Sequence, residues 1–159
     1  MRAPRFWGNP PERPGMLARL LAPFAGIWAA VTRRRLRRPG MRVGVPVVCV
    51  GNLTAGGAGK TPTVVALVQR LAARGVAAHV VSRGHGGRLA GPARVDPALH
   101  SAADVGDEPL LVAAFAPVWV GRDRVAAARA ATAAGARAVV MDDGFQNPGL
   151  AKDLSIVVV

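Results

Sequence analysis

Apolar positions along this 159-residue chain change their rhythm once. Leu17, Leu20, Leu21, Phe24, Ile27, Trp28 and Val31 recur at helical spacing and form one stripe. Pro23 interrupts that stripe and predicts a kink or a restart of the helix. From residue 45 onward, short apolar runs alternate with helical patterns. The runs at 45–50, 76–82, 118–120, 138–141 and 156–159 predict strands. Helices are expected over 61–73, 107–114 and 122–134. Val64, Leu67, Val68 and Leu71 form the buried face of the first, Pro62 lies in its opening turn, and Gly75 ends it. Residues 89–104 look irregular. Strands alternating with helices predict an α/β fold, a three-layer parallel sheet covered on both faces, with an amphipathic helix before it. In such sheets ligands sit at the carboxyl ends of the strands. No internal repeat is visible, and the chain stops inside an apolar run, which suggests the N-terminal part of a longer protein.

Charge divides the chain at the same place. Residues 1–42 hold ten arginines and one acid, Glu12, out of a net charge of +12 for the whole. The basicity therefore belongs to the segment 1–42, and the domain expected over 43–159 is near neutral. Hydrophobic content of 51% excludes general disorder. The single cysteine, Cys49, lies in an apolar run, reads as a core residue and excludes a disulfide framework. The uncharged run 20–32 is shorter than the roughly 20 residues needed to cross a bilayer. A signal peptide fits the composition, but arginines stand where a cleavage site belongs. A helix lying in the membrane interface fits best, with Trp28 at headgroup level and the arginines on anionic lipid. Packing of the stripe on the domain itself and binding of nucleic acid are the competing readings.

The strand at 45–50 runs into Gly51-Asn52-Leu53-Thr54-Ala55-Gly56-Gly57-Ala58-Gly59-Lys60-Thr61-Pro62. A glycine-rich loop between a strand and a helix, closed by Gly-Lys-Thr, aims backbone N–H groups at one phosphate-sized place. Thr54, Ala55, Gly56, Gly57, Ala58, Gly59, Lys60 and Thr61 are the candidate ATP-phosphate cradle. Lys60 would reach the β/γ-phosphates and Thr61 would ligate Mg²⁺. Thr54 stands where the common pattern has glycine, and a ligand-free turn is the simpler alternative. Lysine usage supports the cradle: of 21 basic residues only Lys60 and Lys152 are lysines. A compact charge is thus placed where arginine would be too broad.

Asp142 and Asp143, ending an apolar strand, match the place of an acid that serves Mg²⁺; an unliganded Asp-Asp-Gly turn is the alternative. Asp107, after Gly106, reads equally as a helix cap and as a general base or metal-side carboxylate. Arg83 and Arg88 either clamp phosphates or are merely solvated. His79 reads as structural, His100 as a loop residue, and His85, between glycines, as a site candidate.

Taken together, the loop at 51–62, Ser82-Arg83-Gly84, Gly106-Asp107-Glu108-Pro109 and Asp142-Asp143-Gly144-Phe145-Gln146, with Phe6-Trp7 and the basic start, resemble the tetraacyldisaccharide 4′-kinases of lipid A biosynthesis. The resemblance covers essentially the whole chain, and Thr54 is usual in that family. It implies transfer of the ATP γ-phosphoryl group, with Mg²⁺, to the 4′-hydroxyl of an acylated glucosamine disaccharide 1-phosphate. It implies the cytoplasmic face of the Gram-negative inner membrane, contact with the membrane surface through residues 14–38, and no nucleic-acid partner. By matching motif, Lys60 and Asp107 are catalytic, with Asp107 assisting the attacking hydroxyl. Thr61, Asp142 and Asp143 serve the metal, and Arg83, His85 and Gln146 are substrate candidates. Asn147 replaces the family's usual His, and His85 its usual Tyr. Family members are about twice as long, so a second domain carrying a histidine thought to act with Asp107 is expected outside this chain. Two other functions compete. A partitioning-type ATPase shares Gly-Gly-x-Gly-Lys-Thr but wants lysine where Ala55 stands, and a non-catalytic fragment would bind only nucleotide and membrane.

Overall fold

A computed structural model describes residues 9–10, 12–36, 39–52 and 59–159, with the side chains of residues 35 and 36 outside the description. The chain forms two compact units, Met1–Arg38 and Pro39–Val159. In the first, α1 spans Met16–Leu36 as one helix that contains Pro23. The helix does not restart at Pro23. Pro23 leaves the carbonyl one turn earlier without its N–H partner, and at this exposed position water can take its place. The apolar stripe is open to solvent, with Phe24 68% and Trp28 73% exposed. No described helix is long and apolar enough to cross a membrane.

The second unit is a six-stranded sheet with the order β3-β4-β2-β5-β1-β6. Its strands are β1 (Val47–Asn52), β2 (Ala78–Ser82), β3 (Ala93–Arg94), β4 (Val118–Val120), β5 (Ala138–Asp142) and β6 (Leu154–Val158). All neighbours pair in parallel except β3, which lies antiparallel on β4. Residues 89–104 are therefore not wholly irregular: they supply β3 and the short helix α3 (Ala102–Val105). Two residues of strand carry too little alternation to be seen in sequence. The sheet's helices are α2 (Lys60–Ala72), α4 (Asp107–Val112) and α5 (Arg124–Ala133). Helix α5 starts two residues later than expected because Asp123 caps it, accepting from the backbone N–H groups of Val125 and Ala126.

Two cores lie on the two faces of the sheet, and both are built from small residues. Val50, Val64, Val68, Val80, Val105, Val112, Val118 and Val140 fill one. Cys49, Val81, Ala127, Ala128, Ala131, Val139, Met141 and Leu150 fill the other. Burial pushes the Cys49 thiol up, as expected of an inert core cysteine. Residues 39–47 belong to this unit: Met41 bridges Leu150, and Asp153 accepts from the Val47 N–H at 2.8 Å while pairing with Arg42.

Candidate active site

Because β1, β2, β4 and β5 run the same way, their carboxyl ends share one sheet edge. There the structure opens a cleft of about 680 Å³. Lys60 comes from the start of α2, Arg83 and His85 from the loop after β2, and Asp107 from the start of α4. Arg122 and Arg124 follow β4, Asp142 ends β5, and Asp143 and Gln146 follow it. Residues distant in sequence thus meet because of one topological fact.

Local packing brings the loops together. Gly106 stands at φ 91°, and a Cβ there would come within 2.6 Å of the His85 carbonyl oxygen. Glycine lets the Arg83–His85 loop lie against the chain just before Asp107. Gly106 is itself the N-cap of α4, so Asp107 is not the cap; its Oδ1 accepts from the Glu108 N–H at 2.9 Å. Arg88, by contrast, pairs with Asp104 and does not line the cleft. Ser101 and Arg88 hold the Asp104 carboxyl down at about 2. His79 is buried and accepts from Trp119 Nε1, a structural role.

Asp142 ends β5 with 3% exposure, and its Oδ1 has no hydrogen-bond partner among the described residues. Burial, with Glu108 and Asp143 nearby, pushes its carboxyl up to about 6, against the pull of Lys60 and Arg124. Asp143 takes the left-handed conformation, φ 51°, and its Oδ1 pairs with Lys60 Nζ at 3.2 Å. Lys60 is thus already aimed at the carboxylate pair. Gly59 is the N-cap of α2 at φ 76°. Thr61, next in the helix, is half-buried and stands outside the cleft wall formed by the described residues. Thr54, Ala55, Gly56, Gly57 and Ala58 lie outside the described residues.

The sequence reading missed Arg124, counting it only as part of a helix. It is 5% exposed, its Nε has no partner among the described residues, and its guanidinium donates to the Gly121 carbonyl at 3.4 Å. Burial lowers its pKa while Asp142 opposes the shift. The signal was available: Arg124 lies four residues past the end of a predicted strand, on the ligand-bearing edge.

A parallel sheet whose first strand leads through a glycine-rich segment to Lys60, facing acids at the end of β5, defines the P-loop kinase class. The family profile described as LpxK, tetraacyldisaccharide-1-P 4′-kinase, matches residues 17–159, and the chain belongs to that family. The tetraacyldisaccharide 4′-kinase of Dinoroseobacter shibae is 66% identical over 160 residues, covering 100% of this chain and 48% of that protein. That of Rhodospirillum centenum is 63% identical, again over 100% of this chain and 48% of the relative. A crystal structure titled as the "apo" form of LpxK from Aquifex aeolicus in complex with ATP superposes with a TM-score of 0.75 at 29% identity, covering 89% of this chain and 49% of that one. The chain spans about half the length of the curated relatives it matches. Family membership disfavours the partitioning-type ATPase.

Proposed function

We propose that this chain carries the nucleotide-binding half of an ATP-dependent lipid-sugar kinase. The kinase phosphorylates the 4′-hydroxyl of tetraacyldisaccharide 1-phosphate at the cytoplasmic face of the inner membrane. The observation that carries this reading is the meeting of Lys60, Asp107 and the Asp142–Asp143 pair around one cleft. Residues 54–61 hold the ATP phosphates. Lys60 exchanges Asp143 for a phosphate oxygen as nucleotide enters.

The donors suit magnesium. They are hard carboxylate oxygens, one of them buried and unpaired, and no trio of His, Cys, Asp or Glu among the described residues competes as a dedicated cage. Mg²⁺ is ordinarily held by one or two carboxylates, water and phosphate oxygens. Thr61, Asp142 and Asp143 would hold it, and it would neutralise charge on the phosphates. The remaining chemistry is positioning and proton transfer. The acceptor hydroxyl attacks the γ-phosphorus, its proton passes to Asp107, and ADP leaves. Arg83, His85 and Gln146 contact the acceptor, and Arg124 adds positive charge to the cleft floor. Helix α1, with residues 14–38, meets the membrane in which four acyl chains are embedded. Nucleic acid is not a partner in this reading.

Transfer of radiolabelled γ-phosphate to the lipid disaccharide tests the proposal. A full-length version should form labelled product; failure to do so sinks the kinase reading. Product from the full-length version alone supports the reading of this chain as a fragment that needs the rest of the kinase for transfer.

A further inference from the structure

One of the two lysines is accounted for by the phosphate cradle. The other, Lys152, lies just before β6 and is half-buried. Its ammonium donates to the Phe145 carbonyl at 3.2 Å and to the Asn147 carbonyl at 2.8 Å. These two carbonyls flank Gln146, which lines the cleft. Lys152 therefore clasps the main chain on both sides of a candidate site residue from outside the cleft.

The clasp has a fixed base. Ala151 N–H donates to the Met41 carbonyl, and Met41 N–H to the Gly149 carbonyl. Asp153 exchanges two bonds with Val47 at the start of β1: its N–H donates to the Val47 carbonyl, and its carboxylate accepts from the Val47 N–H. Lys152 projects from a segment tied to β1 onto the turn after β5, whose first residue, Asp143, donates its N–H to the Val50 carbonyl. That turn is closed internally by Asn147 N–H to the Gly144 carbonyl and by Gly149 N–H to Asn147 Oδ1. On its inner side the Phe145 ring lies against Gly51, where a Cβ would come within 2.9 Å of the ring. A charged donor with two main-chain acceptors makes stronger bonds than neutral groups would. A flexible ammonium with three donors suits two separate carbonyls.

We infer that Lys152 is a positioning residue: it sets the Asp143–Asn147 turn, which carries the Asp143 carboxylate that faces Lys60, in the place that metal-bound nucleotide requires. The inference rests on the proposed ATP reading. It assigns Lys152 no contact with nucleotide or substrate.

Binding of a fluorescent ATP analogue to the full chain, with Mg²⁺ and with EDTA, tests both. Lys152→Met should weaken Mg²⁺-dependent binding on the order of tenfold while leaving binding in EDTA unchanged. Lys152→Arg, which keeps the charge and several donors, should recover most of the loss. Asp143→Asn combined with Lys152→Met should weaken binding by less than the two separate effects combined, because both act through one turn. Equal Mg²⁺-dependent affinity in wild type and Lys152→Met, or full additivity with Asp143→Asn, overturns the inference and leaves Lys152 a stabilising residue only. Absence of binding by the wild-type chain overturns the ATP reading instead. If Lys152→Met does not fold, as judged by circular dichroism, Lys152→Gln takes its place with the same expected and overturning results.

Discussion

The two units of this chain use apolar residues in opposite ways. In the α/β unit the buried residues are chiefly valine and alanine, and the site is polar. In the first unit the large residues Leu20, Phe24, Ile27 and Trp28 all face solvent. A protein folding only for water would place its largest side chains inside, since each buried one contributes about 2–3 kcal/mol. An apolar stripe that its own unit leaves uncovered suits the membrane contact proposed for α1. On the proposed reading, chemistry and localisation are separately encoded, and each can be removed without the other.

The largest expected effect is on chemistry alone. Lys60→Ala should cut phosphoryl transfer by the full-length kinase about 10²- to 10³-fold while liposome binding stays unchanged. An unaffected rate would remove Lys60 from the mechanism.

Asp142 should behave as a residue kept for function at a cost to stability. Its carboxyl is raised from 3.8 to about 6. The folded state therefore holds the proton more tightly, and stability falls as pH rises from about 4 to about 6, then levels off. Asp142→Asn should raise metal-free stability at pH 7 by up to about 3 kcal/mol, the equivalent of that shift, and should remove this pH step. Denaturant unfolding checks both, and a variant less stable than wild type at pH 7 would contradict the assignment of burial as the cause.

On the other unit, Phe24→Ala with Trp28→Ala should weaken partition onto anionic liposomes by at least about tenfold with nucleotide binding intact. Deleting residues 1–38 should weaken it further, and more at low salt than at high. Unchanged partition would refute the membrane role. The smallest effect is expected at Asp104, held down at about 2 by Ser101 and Arg88. Its ionised form contributes stability above about pH 4, which is lost as pH falls toward 2. Asp104→Asn should therefore be the less stable protein at neutral pH and match wild type below pH 2.

Much of the fold was legible because valine-rich runs and glycine stops repeat along the chain. The six strands include five that apolar runs mark; β3, two residues long, has no rhythm to read. Pro23 by itself did not decide whether the helix continues, because at an exposed position water can satisfy the carbonyl that its missing N–H leaves free. Lys60, Asp107 and the Asp142–Asp143 pair were legible because each follows a strand or opens a helix in a recognisable motif. Arg124 and Lys152 were not, because their roles depend on what folding brings near them: a buried carboxylate for one, two carbonyls for the other.

The scarcity of lysine has a practical consequence. Apart from the terminal amine, the only amines in this chain belong to Lys60 and Lys152, one inside the cleft and one clasping its wall. Acylating reagents, which ignore guanidinium groups, would therefore report on the site and almost nothing else. On the proposed reading, the mass of a labelled chain reports whether nucleotide shields Lys60.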